Sequence, residues 1–121
     1  MPAVRVLIVD DHDLFRQAVG ELIEDIAGFV VVASVGSAQR GLDLIAEMPI
    51  DLVLMDVNMP GLNGIDASRR ISERTRPPIV VLLSTYDESE IDPTACGAAA
   101  YVSKLAFSAQ RLGEVWAAAR R

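Results

Sequence analysis

The chain has very little cysteine and no long apolar stretch. Cys96 is the only cysteine among 121 residues, which excludes an internal disulfide framework and any CxxC-type zinc or redox motif. The apolar runs fall well short of the roughly 18 residues that suggest a membrane span. Met1–Asp11 lacks the length and the small-residue cleavage site of a signal peptide. We therefore expect a cytoplasmic protein that does not associate with membranes.

Basic residues are also scarce. Eleven lysines and arginines stand against 17 aspartates and glutamates, giving a formal net charge of −6. This balance argues against nucleic-acid binding through a broad basic face. The sequence also contains no linker, internal repeat or low-complexity segment, and its length is close to the commonest domain size. We expect residues 1–121 to form a single domain.

Short apolar segments alternate with segments of helical periodicity. The predicted strands are Val4–Val9, Phe29–Val35, Leu52–Met55, Ile79–Leu83 and Ala98–Val102. Such near-continuous branched runs are typical of strands covered on both faces. Between them, apolar residues recur every three or four positions, as on one helix face, and Ser37 is a candidate N-cap. Strict alternation predicts an α/β fold, with a parallel sheet and helices on both of its faces.

Polar side chains stand at the carboxyl ends of these strands, where sheets of this kind bind ligands. In chain order they are Asp10, Asp11, Asp56, Ser84, Thr85 and Lys104. Three carboxylates on one edge repel one another unless they share a cation, and oxygen ligands suit Mg²⁺. An acidic helix start is enough to explain Asp13. It does not explain an adjacent pair together with a distant third aspartate.

Four motifs identify a family resemblance. They are LIVDDH at Leu7–His12, LMDVNMPGLNG at Leu54–Gly64, LLSTYDE at Leu82–Glu88 and GAAAYVSK at Gly97–Lys104. Together they resemble the receiver domain of bacterial two-component response regulators, in particular the NarL/LuxR-like subgroup. The resemblance implies a doubly wound, flavodoxin-like (βα)5 fold with five parallel strands in the order 2-1-3-4-5. A stand-alone receiver and the N-terminal part of a longer regulator both remain open.

The resemblance also implies roles for individual residues. Asp56 would be the phosphoacceptor, and Asp11, Asp56 and the backbone carbonyl of Asn58 would ligate Mg²⁺, with Asp10 acting mostly through a bound water. The remaining implied positions belong to the phosphorylation switch. They are the switch hydroxyl at Ser84, the rotating aromatic at Tyr101 and the invariant lysine at Lys104.

The implied function is a phosphorylation-dependent signalling switch rather than an enzyme with turnover. A sensor histidine kinase would supply the phosphoryl group, and the altered surface would control transcription through a LuxR-type DNA-binding output domain. The receiver itself would not bind nucleic acid, and a homodimer is compatible with the resemblance.

Alternatives from other classes remain at this point. The spacing Asp11-His12-Asp13 suggests a phosphatase of the haloacid dehalogenase type, although that interpretation leaves Asp56 unexplained. A flavodoxin-like electron carrier fits the fold, but the acidic residues would repel a flavin phosphate. The third alternative is a degenerate receiver that acts as a constitutive interaction module. His12, the only histidine, is better explained as a loop residue than as a ligand.

The segment before the last strand departs from the family pattern. The interval from Ser84 to Lys104 is shorter than usual by roughly two residues, about half a helical turn. Pro93 and its polar neighbours are poor interior helix formers. We therefore expect any fourth helix, between the fourth and fifth predicted strands, to be short or absent. We also expect residues 86–95 to be the most mobile part of the domain.

Overall fold

A computed structural model describes residues 3–85 and 92–120. Strands and helices alternate along the chain. The strands are β1 (Val4–Val9), β2 (Phe29–Val35), β3 (Leu52–Asp56), β4 (Ile79–Ser84) and β5 (Ala100–Ser103). The α-helices are α1 (Asp13–Glu24), α2 (Ala38–Glu47), α3 (Gly64–Ser72) and α4 (Ala109–Ala119). Two short 3₁₀ helices cover Pro93–Cys96 and Lys104–Ala106.

The five strands form one parallel sheet in the order β2-β1-β3-β4-β5. This confirms the predicted fold class and strand order. The strand ends differ slightly from the sequence prediction, because β3 includes Asp56, β4 includes Ser84, and β5 begins at Ala100. The side chains that end β3 and β4 are therefore held by the sheet itself.

Side chains from the two faces of the sheet fill two separate apolar cores. Leu7 and Val9 of β1 pack with residues of α2 and α3, whereas Val6 and Ile8 pack with residues of α1 and α4. All five residues of β3 are buried. Coverage of both faces explains why the central strands read as continuous apolar runs.

Polar side chains cap three of the helices. Ser37, Asn63 and Ser108 each accept a hydrogen bond from a backbone N–H in the first turn of α2, α3 and α4. Such N-caps satisfy donors that have no partner within the helix. The cap at Ser37 was predicted from the sequence. Among the described residues, no helix combines the length and the apolar composition that a membrane crossing requires.

The segment between β4 and β5 is described only from residue 92 onwards. There, Pro93–Cys96 forms a single 3₁₀ turn that ends at Gly97, whose φ is +80°. This part agrees with the expectation that any helix between β4 and β5 is short or absent. The expected mobility of residues 86–95 stays a prediction, and residues 86–91 lie outside the described residues.

Candidate functional site

Neighbouring strands bring two aspartates together at the carboxyl edge of the sheet. Val9 of β1 is paired with Met55 of β3, so Asp10 and Asp56 follow at the same level on adjacent strands. Only 1% of Asp10 and 3% of Asp56 is exposed. Asp11 lies beside them with 30% of its side chain exposed. The predicted acidic cluster therefore exists, with two buried members and one open to solvent.

Lys104 reaches this cluster from the end of β5. Its Nζ lies 2.7 Å from Asp10 Oδ2 and 3.5 Å from Asp56 Oδ2, and only 9% of the side chain is exposed. The ammonium also sits over the Phe15 ring, 4.4 Å from its centre. Three carboxylates and one lysine leave a formal charge of −2.

The acidic cluster has spare capacity for a cation. Asp10 Oδ2 and Asp56 Oδ2 are buried, and both face the ammonium of the same residue, Lys104. Burial, with the nearby Asp10 charge, raises the pKa of Asp56; Lys104 and the Asn58 N–H oppose that rise. Buried carboxylates with free lone pairs and a residual charge of −2 are the donor set that Mg²⁺ fits.

The loop after β3 holds the Asp56 side chain in place. The backbone N–H of Asn58 donates to Asp56 Oδ1 at 3.3 Å, and its side-chain amide lies 3.4 Å from the hydroxyl of Ser84. Gly64 follows the loop as the first residue of α3. The position requires glycine, because a Cβ there would overlap the backbone carbonyl of Asp56. This explains the glycine independently of any turn preference.

Two of the predicted switch residues are buried. Ser84 ends β4 with none of its surface exposed, one position beyond the residue paired with Asp56. Tyr101 of β5 is 4% exposed and belongs to the apolar core on the α2 and α3 side. Ser84 thus lies at the candidate site, whereas Tyr101 is a core residue of the strand that leads to Lys104.

His12 was missed as a member of the site. Its Nδ1 lies 2.9 Å from Asp10 Oδ1, 3.3 Å from Asp11 Oδ1 and 3.9 Å from Asp56 Oδ2. His12 is a loop residue as expected, since it precedes the first residue of α1. The sequence does not indicate in which direction the side chain of a single histidine next to two aspartates points. Only the longest of the three contacts is with a residue distant in sequence, Asp56, which is 44 positions away.

Asp13 does not join the cluster. Its side chain is 85% exposed and lies 2.6 Å from Nη2 of Arg16. The arrangement therefore lacks the cooperation between Asp11 and Asp13 that the haloacid dehalogenase interpretation requires, and it instead assigns Asp56 a central position.

Comparisons with known proteins agree with this geometry. The family model described as "Response regulator receiver domain" matches residues 6–115. Response regulator GacA of Pseudomonas viridiflava is 41% identical over 104 residues, covering 84% of this chain and 48% of that protein. The chain therefore spans about half the length of this curated relative.

Solved structures are similar over nearly the whole chain. The signal receiver domain of a NarL response regulator from Mycobacterium tuberculosis is 29% identical, with a TM-score of 0.89 and coverage of 99% of this chain and 98% of that one. CheY6 of R. sphaeroides, solved in complex with the P1 domain of CheA3, is 29% identical with a TM-score of 0.74. That match covers 99% of this chain and 96% of the other.

Proposed function

The chain belongs to the response regulator receiver domain family, and on that premise we propose that it is a phosphorylation switch whose phosphoacceptor is Asp56. Membership places it in two-component signalling, as a signalling domain rather than an enzyme with turnover. One observation carries the assignment of Asp56. Its Oδ2 is a buried carboxylate oxygen, and the Lys104 ammonium lies 3.5 Å from it.

The proposed reaction is transfer of a phosphoryl group to Asp56. A carboxylate oxygen of Asp56 attacks phosphorus and forms an acyl phosphate, while the bond from phosphorus to the donor's leaving atom breaks and that atom keeps the electron pair. Such a transfer depends on positioning and charge neutralisation more than on acid–base chemistry. Lys104 Nζ lies 3.5 Å from Asp56 Oδ2, and we expect it to pair with the incoming phosphoryl oxygens.

The proposed cofactor is Mg²⁺. Asp11, Asp56 and the backbone carbonyl of Asn58 would hold it, with Asp10 acting through a water. Bound there, the ion would offset the remaining charge of −2 and let an anionic donor approach. Asp10 is already engaged by Lys104, which is consistent with an indirect role for it.

The proposed partners follow from the family. CheY6 is recorded with the P1 domain of CheA3, and by analogy we expect a sensor histidine kinase to be the phosphodonor of this chain. The relatives include NarL and GacA response regulators. We therefore expect phosphorylation to alter a surface of the domain through Ser84 and Tyr101. The altered surface would control a LuxR-type DNA-binding output domain in the cytoplasm. Formation of a homodimer is one way in which the surface could act.

Intact-mass measurement after incubation with acetyl phosphate tests the proposal. We expect the protein to gain one phosphoryl group in Mg²⁺ and none in excess chelator. Asp56→Asn should gain none, while the control Asp43→Asn, changed at an exposed position of α2, should react like the wild type. Uptake that persists in chelator would contradict the metal requirement.

A further inference from the structure

We propose that Arg16 is a positioning residue for phosphoryl transfer, because its guanidinium holds the backbone of Asp10 and thereby the ion pair between Asp10 and Lys104. The inference rests on the proposed function and deepens it. It concerns a side chain that lies outside all four sequence motifs.

The guanidinium of Arg16 makes two contacts with the chain around the start of α1. Its Nη1 donates a hydrogen bond to the backbone carbonyl of Asp10 at 2.6 Å, and its Nη2 pairs with Asp13 Oδ1, also at 2.6 Å. The Arg16 side chain is 20% exposed, whereas that of Asp13 is 85% exposed. An ion pair with an exposed carboxylate contributes little. The contact with the Asp10 carbonyl is therefore the one that gives this arginine a specific role.

Arg16 and β2 together fix the backbone of Asp10. The Asp10 N–H donates to the carbonyl of Val35 at 3.1 Å, which extends the pairing of β1 and β2 by one bond. The Asp10 carbonyl accepts from Arg16 instead of from a strand. Asp10 is 1% exposed, and a buried carbonyl that lost its donor would carry a free-energy cost. Both polar groups of this peptide backbone are thus held in one direction.

Gly36 leaves room for the guanidinium. A Cβ at that position would lie 3.0 Å from Arg16 Nη1 and 4.0 Å from the Asp10 carbonyl oxygen. Since Gly36 directly follows β2, the guanidinium lies between the chain segments that leave β1 and β2. Packing of this kind restricts the conformations of a supporting side chain, which is what a positioning residue requires.

The position of Asp10 matters because of Lys104. Asp10 Oδ2 lies 2.7 Å from Lys104 Nζ, which in turn lies 3.5 Å from Asp56 Oδ2. Once the Asp10 backbone is released, its carboxylate no longer holds the ammonium at this point beside Asp56. A displacement of about 1 Å in a charge-neutralising group is enough to slow such a reaction strongly. Arg16 acts in this account only through Asp10.

The rate of phosphorylation by acetyl phosphate in saturating Mg²⁺ is the first readout. We expect Arg16→Ala to lower the maximal rate constant by about tenfold or more, with little change in the acetyl phosphate concentration that gives half of that rate. Arg16→Lys keeps the charge but replaces the two-pronged fork by a single ammonium, and it should lose about threefold. Arg69→Ala is the matched control, because Arg69 forms an ion pair of the same i,i+3 type with Asp66 on the exposed side of α3. It should react like the wild type.

The metal-free protein gives a second readout, since Lys104 is the only lysine. Protein labelled with ¹⁵N only at the lysine side chain has a single Nζ resonance, which reports on the pairing of Lys104 with Asp10. Arg16→Ala should shift this resonance, and Arg69→Ala should not. If Arg16 only stabilised α1, the resonance of the folded variant would stay in place.

The proposal requires both effects. A wild-type rate in Arg16→Ala would overturn it. A slower rate with an unmoved Lys104 resonance would overturn it as well, since Arg16 would then act on the anionic donor instead of on Asp10. If Arg16→Ala does not fold, the same two measurements on Arg16→Lys decide. Phosphoryl uptake by Asp56→Asn would instead refute the proposed function, and the Lys104 resonance would still show whether Arg16 positions the Asp10 pair.

Discussion

At the scale of single residues, Lys104 shows what a sequence leaves undecided. By itself, a lysine after a short strand is as easily a surface residue as a functional one. The structure buries its side chain between two carboxylates and the Phe15 ring. Only the convergence of β1, β3 and β5 produces that environment, so the assignment of Lys104 to the site depended on the family resemblance of its motif.

Replacing Lys104 by methionine should destabilise the metal-free protein. The change keeps the apolar stem but leaves Asp10 and Asp56 buried without their cation, a loss that typically costs about 3 kcal/mol in free energy of unfolding. Denaturant unfolding in chelator should show the decrease. Mg²⁺ should still bind, since a repelling ammonium has been removed. An unchanged unfolding midpoint would show that Lys104 does not neutralise the pair.

Asp51 provides a pH-dependent test away from the site. Its carboxylate accepts the Nε and Nη2 donors of Arg5 at 2.9 and 3.0 Å, as well as the Arg5 backbone N–H, and hydrogen bonding by the Arg5 side chain is the main cause that lowers the pKa of Asp51. A lowered folded-state pKa contributes stability that is present above the ordinary value of 3.8 and is lost as pH falls through the folded value.

Asp51→Asn should therefore reduce the free energy of unfolding at pH 7 by at most about 1 kcal/mol, because both side chains are partly exposed and solvent screens the pair. It should also flatten the decline in stability below about pH 4. Thermal melts over a pH series measure both effects, with Asp43→Asn as an exposed control. If the two variants gave the same pH profile, the contribution of the Arg5 pair would be disproved.

At the scale of elements, the parallel strands could be predicted, because a strand covered on both faces must be apolar along its whole length. Their order was implied by the family resemblance. Strand ends were less predictable. Asp56 and Ser84 are polar and read as the beginning of loops, yet backbone pairing with β4 and β5 keeps them in the sheet. The cap at Asn63 was also not predicted, since the Pro-Gly turn before it dominated the local pattern.

Gly64 links α3 to the site, and its replacement tests that link. Gly64→Ala should destabilise the protein by about 3 kcal/mol or more, because the new methyl group would overlap the backbone of Asp56 and Val57. Gly113→Ala is the matched control. It lies exposed in α4 with nothing within 4 Å of the added carbon, so it should stabilise by about 0.5–1 kcal/mol.

Denaturant unfolding of the two alanine variants should give opposite signs. If Gly64→Ala were as stable as Gly113→Ala, the close approach of α3 to the backbone of Asp56 and Val57 would be wrong. A loss of phosphoryl uptake by folded Gly64→Ala would show that the same contact positions Asp56.

At the scale of the whole molecule, four short motifs sufficed to predict the family, and the described part of each motif contributes to the same edge of the sheet. The position of His12 Nδ1 within the cluster could not be predicted, since it depends on where the first turn of α1 begins relative to β3. The same topology separates the acidic site from the Arg5–Asp51 pair. Asp10 directly follows β1 and Asp56 is the last residue of β3, whereas Asp51 immediately precedes β3.

Site mapping of the phosphorylated protein tests the central claim most directly. After reaction with acetyl phosphate and Mg²⁺, borohydride reduces an aspartyl phosphate to homoserine, and peptide mass spectrometry then locates the changed residue. The account predicts homoserine at position 56 alone, and no conversion in Asp56→Asn. Homoserine at position 10 or 11, or conversion that persists in Asp56→Asn, would contradict it.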